Sequence, residues 1–170
     1  ETFVRMNAGR LTGCISYTYS SSFRIIPEII DGKRYNSPYD KPHSFNIVTS
    51  YDISKRINVS STWVYATGLP VTFPTGRAVV GNAILPIYSN RNAYRMPDYH
   101  RLDLSVILKG KEKTGKKWQG EWNLSVYNVY NRHNAWAINF THDPNDPNIT
   151  YAEKTYLFSI IPALSYSIKF

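Results

Sequence analysis

The sequence predicts an all-β fold, specifically strands of a membrane-spanning antiparallel β-barrel, and three observations lead there. Segments of about ten residues alternate apolar and polar side chains with period two, the pattern of a strand whose two faces meet different surroundings. The connections between those segments alternate short and long. The last segment, counted back from Phe170 in twos, presents Ile168, Tyr166, Leu164, Pro162, Ile160, Phe158 and Tyr156, every one apolar or aromatic.

Seven strands are predicted along the chain. A partial one precedes Asn7, and the others cover roughly residues 11–22, 42–53, 57–68, 99–110, 117–131 and 154–170. In the second, Leu11, Gly13, Ile15, Tyr17 and Tyr19 oppose Thr12, Cys14, Ser16 and Thr18. The third sets Phe45, Ile47, Thr49, Tyr51 and Ile53 against Ser44, Asn46, Ser50 and Asp52, with Val48 the exception. The fourth places Ile57, Val59, Trp63 and Tyr65 opposite Asn58, Ser60 and Thr62. Leu102, Leu104, Val106 and Leu108 face away from Arg101, Asp103, Ser105 and Lys109 in the fifth. The sixth sets Trp118, Trp122, Leu124, Val126 and Tyr130 against Glu121, Asn123, Ser125 and Tyr127. The seventh is read as one long strand from Tyr156 to Phe170, with aromatic residues at both ends of its apolar face.

Length agrees with a membrane. About 12 residues at about 3.3 Å each give roughly 40 Å, and a tilt of about 45° leaves roughly 28 Å, close to the hydrocarbon thickness. The turns at Asn7–Arg10, Ser54–Arg56 and Gly110–Lys116 are short or compact, whereas about 22–42, 69–98 and 132–150 are long and rich in Pro, Asn, Asp and Gly. Short turns on one side and long loops on the other match periplasm and exterior, which places Phe170 at the periplasmic rim.

Composition is compatible but less specific. At 170 residues the chain has the length of one domain, with mean hydropathy −0.37 and 42% hydrophobic residues. Plain hydropathy would class it as soluble, because alternating strands average out and no run approaches the roughly 18 apolar residues of a membrane helix. Fourteen Tyr, seven Phe and four Trp suit interfacial girdles, and suit a carbohydrate-binding β-sandwich almost as well. The net charge of +8 gathers at turns (Lys55, Arg56, Lys109 to Lys117) rather than on a helix face or beside RNA-stacking motifs, so no nucleic-acid partner is expected. A single cysteine, Cys14, excludes an internal disulfide framework and reads as a small side chain within a strand. The sequence starts in mid-pattern at Glu1 without a leader, so a missing N-terminal part is expected.

Seven strands cannot close. Single-chain bacterial barrels have an even number of at least about eight strands, and an open edge in lipid leaves backbone groups unsatisfied at several kcal/mol each. Splitting the last segment at Pro162 would give eight and a small closed barrel of adhesive or structural kind. One long strand keeps the apolar face unbroken and is preferred. A soluble β-sandwich lectin is the third possibility.

Four motifs carry a resemblance. Tyr39-Asp40-Lys41-Pro42-His43-Ser44-Phe45-Asn46, Met96-Pro97-Asp98-Tyr99-His100-Arg101-Leu102-Asp103-Leu104-Ser105, Tyr127-Asn128-Val129-Tyr130-Asn131-Arg132-His133-Asn134 and the segment closing on Phe170 stand in the order found in TonB-dependent receptors of Bacteroidetes. Together they cover essentially all of residues 1–170, which resembles the C-terminal third of that family's barrel of about 22 strands. The resemblance implies uptake of a scarce nutrient (siderophore, glycan, peptide or vitamin) across the outer membrane. It implies outer-membrane lipid and lipopolysaccharide as surroundings, and the rest of the barrel with its plug as intramolecular partners. TonB–ExbB–ExbD, acting through the N-terminal part, the barrel assembly machinery and a surface lipoprotein complete the implied partners. Tyr166, Ile168 and Phe170 form the lipid face and assembly signal of the last strand. Ile168 and Phe170 fit that signal, while Ala163 and Ser165 stand where a polar residue and Gly are usual.

Chemistry is sparse. His43, His100, His133 and His142 lie in separate loops or strand ends without metal-ligand spacing, and no catalytic group, metal or cofactor is expected. Asp143 to Asn148 looks superficially like a calcium loop but lacks its glycine and distal glutamate, and proline makes it a rigid exposed loop. Arg101 with Asp103 reads as a charge pair on the polar face. Sequons at Asn58, Asn123, Asn139 and Asn148 would matter only in a eukaryotic secreted protein. Tyr88, Arg91, Tyr94 and Arg95 combine aromatic surface with positive charge near a strand mouth and are the candidate ligand-binding residues. The competing reading is a loop packing on its neighbours, and it is the favoured one, since such loops are commonly polar and aromatic without a ligand.

Overall fold

The computed structural model describes residues 1–81, 83–111, 118–146 and 149–169. It is all-β and antiparallel. The chain begins with β1 (Thr2–Ala8) and β2 (Leu11–Tyr19), and the first long connection carries a short pair, β3 (Phe23–Arg24) and β4 (Tyr35–Asn36). After β5 (His43–Asp52) and β6 (Ile57–Ala66), the second long connection holds β7 (Pro70–Val71), β8 (Pro74–Val80), β9 (Ala83–Tyr88) and β10 (Tyr94–Arg95). Then come β11 (Tyr99–Lys109) and β12 (Gln119–Tyr127), a loop hairpin of β13 (Ala137–His142) and β14 (Thr150–Thr155), and finally β15 (Ile161–Lys169).

Seven of these form one sheet in the order β1-β2-β5-β6-β11-β12-β15, each long strand pairing with the next long strand along the chain. This is an up-and-down meander. Its turns obey local chemistry. Gly9 sits at φ +61 in the two-residue turn between β1 and β2, where a side chain would be strained. Between β5 and β6, the Ser54 hydroxyl accepts the amides of Arg56 and Ile57 at 3.2 and 3.1 Å. Among the described residues the outer edges of β1 and β15 pair with no further strand, so the sheet is open.

The register confirms the alternation residue by residue. Val4, Ile15, Ile47, Trp63 and Leu102 lie side by side across five strands, and Val106, Leu124 and Leu164 continue the same face. That face stands open, with Leu164 66% exposed. Aromatic rings border it at both ends. Tyr17, Phe45, Trp63 and Tyr65 contact one another in sequence at 5.8–6.2 Å near the long loops. Trp122 meets Tyr166 at 4.6 Å near the short turns. The reverse face carries three hydrogen-bonded pairs, Asn46 with Ser16, Asn58 with Ser50 and Ser105 with Asn123. Burial is inverted relative to a water-soluble sheet. The enclosed side chains Tyr35, Ser37, Asp40 and Asn128 all lie in the loop layer at one end.

The last segment departs from its expected form. Residues 150–155 form β14 and pair with β13, 156–160 are irregular, and only Ile161–Lys169 joins the sheet. The single strand from Tyr156 onward is therefore not formed. Tyr156 stacks instead on His133 at 3.9 Å, Phe158 turns edge-on to Tyr127 at 6.2 Å, and the Asn131 side chain accepts the Ile160 amide at 3.1 Å. These contacts pull 156–160 out of the ladder, so Tyr156 and Phe158 do not lie on the apolar face. Pro162 opposes Val126 on an edge strand, where a missing donor is tolerated. The long connections hold hairpins that the Pro- and Asn-rich composition did not signal. Sheet strands other than β1 are 9–11 residues long, shorter than the estimate above but of transmembrane-strand length.

Asn128 anchors the turn after β12. It adopts φ +55, is 1% exposed, and its side chain both accepts the Arg132 amide (3.0 Å) and donates to the Arg132 carbonyl (2.9 Å). Asn128→Ala removes both bonds and leaves a Cβ residue in the left-handed region. It should destabilise the protein by about 2 kcal/mol, read as a lower urea-unfolding midpoint, with Asn128→Asp recovering part of the loss. An unchanged midpoint in the alanine variant would remove Asn128 from this role.

Candidate functional site

Where the polar face of the sheet meets the long loops, a cavity of about 700 Å³ opens. Ser44 and Asn46 on β5, Val64 on β6, Tyr99 on β11 and Tyr127 on β12 line it from the sheet, and Lys41, Trp136 and Phe158 line it from the connections. The volume lies within the usual range for small-molecule sites, and the lining mixes aromatic faces with amides, a hydroxyl and one cation. Trp136 is 69% exposed, a ring presented rather than packed.

Arg101 fixes the floor. Its guanidinium bridges to Asp103 at 2.9 Å, donates to the hydroxyls of Tyr99 (2.9 Å) and Tyr127 (2.7 Å), and lies 4.0 Å from the centre of the Tyr127 ring. The second Asp103 oxygen accepts the Asn128 amide at 2.9 Å. The charge pair foreseen on the polar face is therefore present, and it orients two cavity tyrosines.

A chain of buried polar contacts holds the mouth. Asp40 is 3% exposed and pairs with Arg95, whose guanidinium also donates to the carbonyls of Asp40 and Gly68, each at 3.1 Å. Asp98 accepts the Tyr65 hydroxyl at 2.6 Å and the Gly68 amide at 2.9 Å. Arg132 donates to the Asp98 carbonyl at 3.0 Å, and Asn134 clasps the His100 backbone through both its amide (3.2 Å) and its carbonyl (3.0 Å). The bases of all three long connections are thereby tied together. Gly68 is required at the crossing, since a Cβ there would stand 1.7 Å from the Met96 carbonyl oxygen.

The four candidate ligand residues do not converge on this cavity. Tyr88 lines a separate cavity of about 350 Å³ with Pro86 and Phe140. Arg91 lies 5.7 Å from the centre of the Tyr35 ring, and Tyr94 stacks on Phe73 at 5.9 Å. Arg95 belongs to the mouth contacts. In the last strand Tyr166 and Ile168 lie on the open apolar face, while Phe170 falls outside the described residues, as do Asn148 and the lysines of 112–117. His43 and His100 each bond a tyrosine, Tyr17 at 2.9 Å and Tyr130 at 2.7 Å. Among the described residues no three His, Cys, Asp or Glu gather as a metal site. Asp143 instead accepts the Asn145 amide at 2.8 Å and the Tyr151 hydroxyl at 2.7 Å. Sequence reasoning did not single out Trp136, because nothing in its loop context distinguishes an aromatic that lines a cavity from one that packs, and it read Phe158 as part of the apolar face of the last strand.

Comparison of the chain with protein-family models, curated proteins and solved structures yields no match.

The mouth should open in acid. Burial alone would raise the Asp40 pKa, but the bonds from Arg95 and the Ser22 amide, with the charges of Arg95 and Arg34, hold it below the ordinary value. Asp98 is lowered by the Tyr65 hydroxyl and then the Gly68 amide. Carboxylates depressed on folding contribute stability that is complete above their unfolded pKa and lost as pH falls through the folded one. Amide protection factors at Ser22 and Gly68 should therefore be high at neutral pH and fall together below about pH 4. Protection that persists through that range would disconnect the two carboxylates from loop closure.

Proposed function

We propose that this chain is the C-terminal portion of a TonB-dependent outer-membrane receptor that takes up a scarce nutrient (siderophore, glycan, peptide or vitamin). The observation that carries the reading is the open apolar face of the seven-stranded meander, bordered by aromatic rings at both ends. Aromatic belts with an apolar band between them are what a barrel presents to lipid. From Phe45 to Tyr51 the strand rises roughly 20 Å at about 3.3 Å per residue, commensurate with that band once neighbouring strands are staggered. In water the same face would be a very large exposed apolar patch.

On this reading the face meets outer-membrane lipid and lipopolysaccharide, the long loops are extracellular, and the C-terminus is periplasmic. The polar face lines a lumen, and the cavity beneath Trp136 lies where an incoming solute meets it. The unpaired edges of β1 and β15 are completed by other strands of the same barrel. That feature favours a portion of a larger barrel over a small closed one of adhesive or structural role. The four motifs support the family, which would supply a plug, coupling to TonB–ExbB–ExbD, insertion by the barrel assembly machinery through Tyr166, Ile168 and Phe170, and a surface lipoprotein.

Coding sequence upstream of Glu1 should specify a plug domain and some fifteen further strands, the complement of about 22. The protein should fractionate with the outer membrane and migrate faster unheated than heated on a denaturing gel. An upstream region without a plug, or a 170-residue chain that folds alone as a heat-modifiable monomer, would sink the receptor reading in favour of the small barrel.

A further inference from the structure

The charge of this protein is polarised along the strand axis. Arg10, Lys55, Arg56, Lys109, Lys111 and Lys169 lie at the short-turn end. Only Asp52 and Glu121 oppose them there among the described residues. Asp52 takes a 2.8 Å bond from Asn58, and Glu121 faces Lys109 across the ladder on the polar face. At the long-loop end acids and bases nearly balance. Among the described residues this rim therefore carries a clear excess of positive charge.

The turn arginines are positioned rather than merely exposed. Arg10 donates one guanidinium nitrogen to the Ile53 carbonyl at 3.3 Å, and Arg56 gives its Nε to the Lys109 carbonyl at 2.9 Å. Each contact links one turn to the next and leaves further guanidinium donors unspent. Neither arginine, nor Lys55 or Lys111, forms an ion pair among the described residues. Inward of Lys111 lie Trp122 and Tyr166 on β12 and β15, and inward of Arg10 and Lys55 lies Tyr51, paired with Leu11 and Val59 on the apolar face.

We propose that this rim binds the phosphates of anionic phospholipid headgroups, with Arg10, Lys55, Arg56 and Lys111 as the contacting cations. The inference rests on the membrane reading above, since only a bilayer bordering the Trp122–Tyr166 level brings headgroups to these turns. Arginine forks match phosphate oxygens bidentately, and each basic residue near an anionic leaflet adds to the attraction. A lipid headgroup rather than soluble phosphate is favoured because the cations adjoin an apolar surface that acyl chains would cover.

The test reconstitutes the full-length protein into vesicles of phosphatidylcholine with a minor fraction of phosphatidylglycerol, then quantifies the lipid retained after purification. Wild-type protein should retain phosphatidylglycerol in excess of its bulk fraction, and rising salt should reduce the excess. Combined R10Q, K55Q, R56Q and K111Q should lower the enrichment by about tenfold without altering heat-modifiable mobility. Equal retention by wild type and variant, or enrichment indifferent to salt, overturns the proposal while leaving the membrane reading intact. The salt titration uses wild type alone and decides the matter if the variant fails to fold. Displacement of the lipid by inorganic phosphate at comparable concentration would assign the site to a soluble anion and overturn the headgroup. Failure of the wild-type protein to insert into these vesicles would overturn the membrane reading itself.

Discussion

A slip of one residue in any of the six ladders would carry a whole strand's apolar set to the opposite face. That constraint governs the rest of the molecule. With the observed register, Val4, Ile15, Ile47, Trp63 and Leu102 share one face, and the amide and hydroxyl pairs meet on the other. Thr49 and Ser61 sit on the apolar side as the exception, and they satisfy each other at 2.7 Å. The ladder also leaves the outer backbone groups of β1 and β15 unpaired, which a low-dielectric surrounding would not tolerate. Register thus sets which side chains each face presents and which backbone groups the edges leave open among the described residues.

The loop layer works under the opposite constraint. Its enclosed groups are polar, so each must find a partner or lose the free energy of desolvation. Asp40 binds the Ser22 amide and Arg95 of the second connection, Asp98 binds the Gly68 amide while its carbonyl takes Arg132 of the third, and Asn128 closes its own turn, so that Arg95 and Arg132 cross-link the three long loops. The cavity beneath Trp136 depends on them, because the same residues that close the mouth also place its walls. Arg101 plays the matching part in the floor, holding Tyr99 and Tyr127 by a fork of donors that a lysine could not reproduce.

The motifs that resemble a receptor family acquire a physical account here. Asp40, Asp98, Arg101, Asp103, Asn128, Arg132 and Asn134 all belong to those runs, and all bind at the junction of sheet and loops. Their part in this chain is to fasten connections to strand mouths. The cavity is lined in addition by Trp136, outside the runs, and by Phe158. The two ends of the sheet consequently differ in kind: one carries a neutral, cross-linked loop layer with a cavity, the other compact turns with a surplus of cations.

The sequence by itself determined where six of the seven sheet strands lie, which face their alternating side chains occupy and the alternation of turns and loops, because period two is a local property that each strand states independently. Cys14, Ile47 and Trp122 could be placed on a face without any knowledge of partners. Tertiary structure alone decided where the last strand begins, since the stack of Tyr156 on His133 and the Asn131 bond to Ile160 involve residues more than twenty positions apart. It likewise decided that Arg95 pairs with Asp40, and that Tyr88, Arg91 and Tyr94 go separate ways. Such choices depend on which distant groups reach each other first in space, and no local period records that.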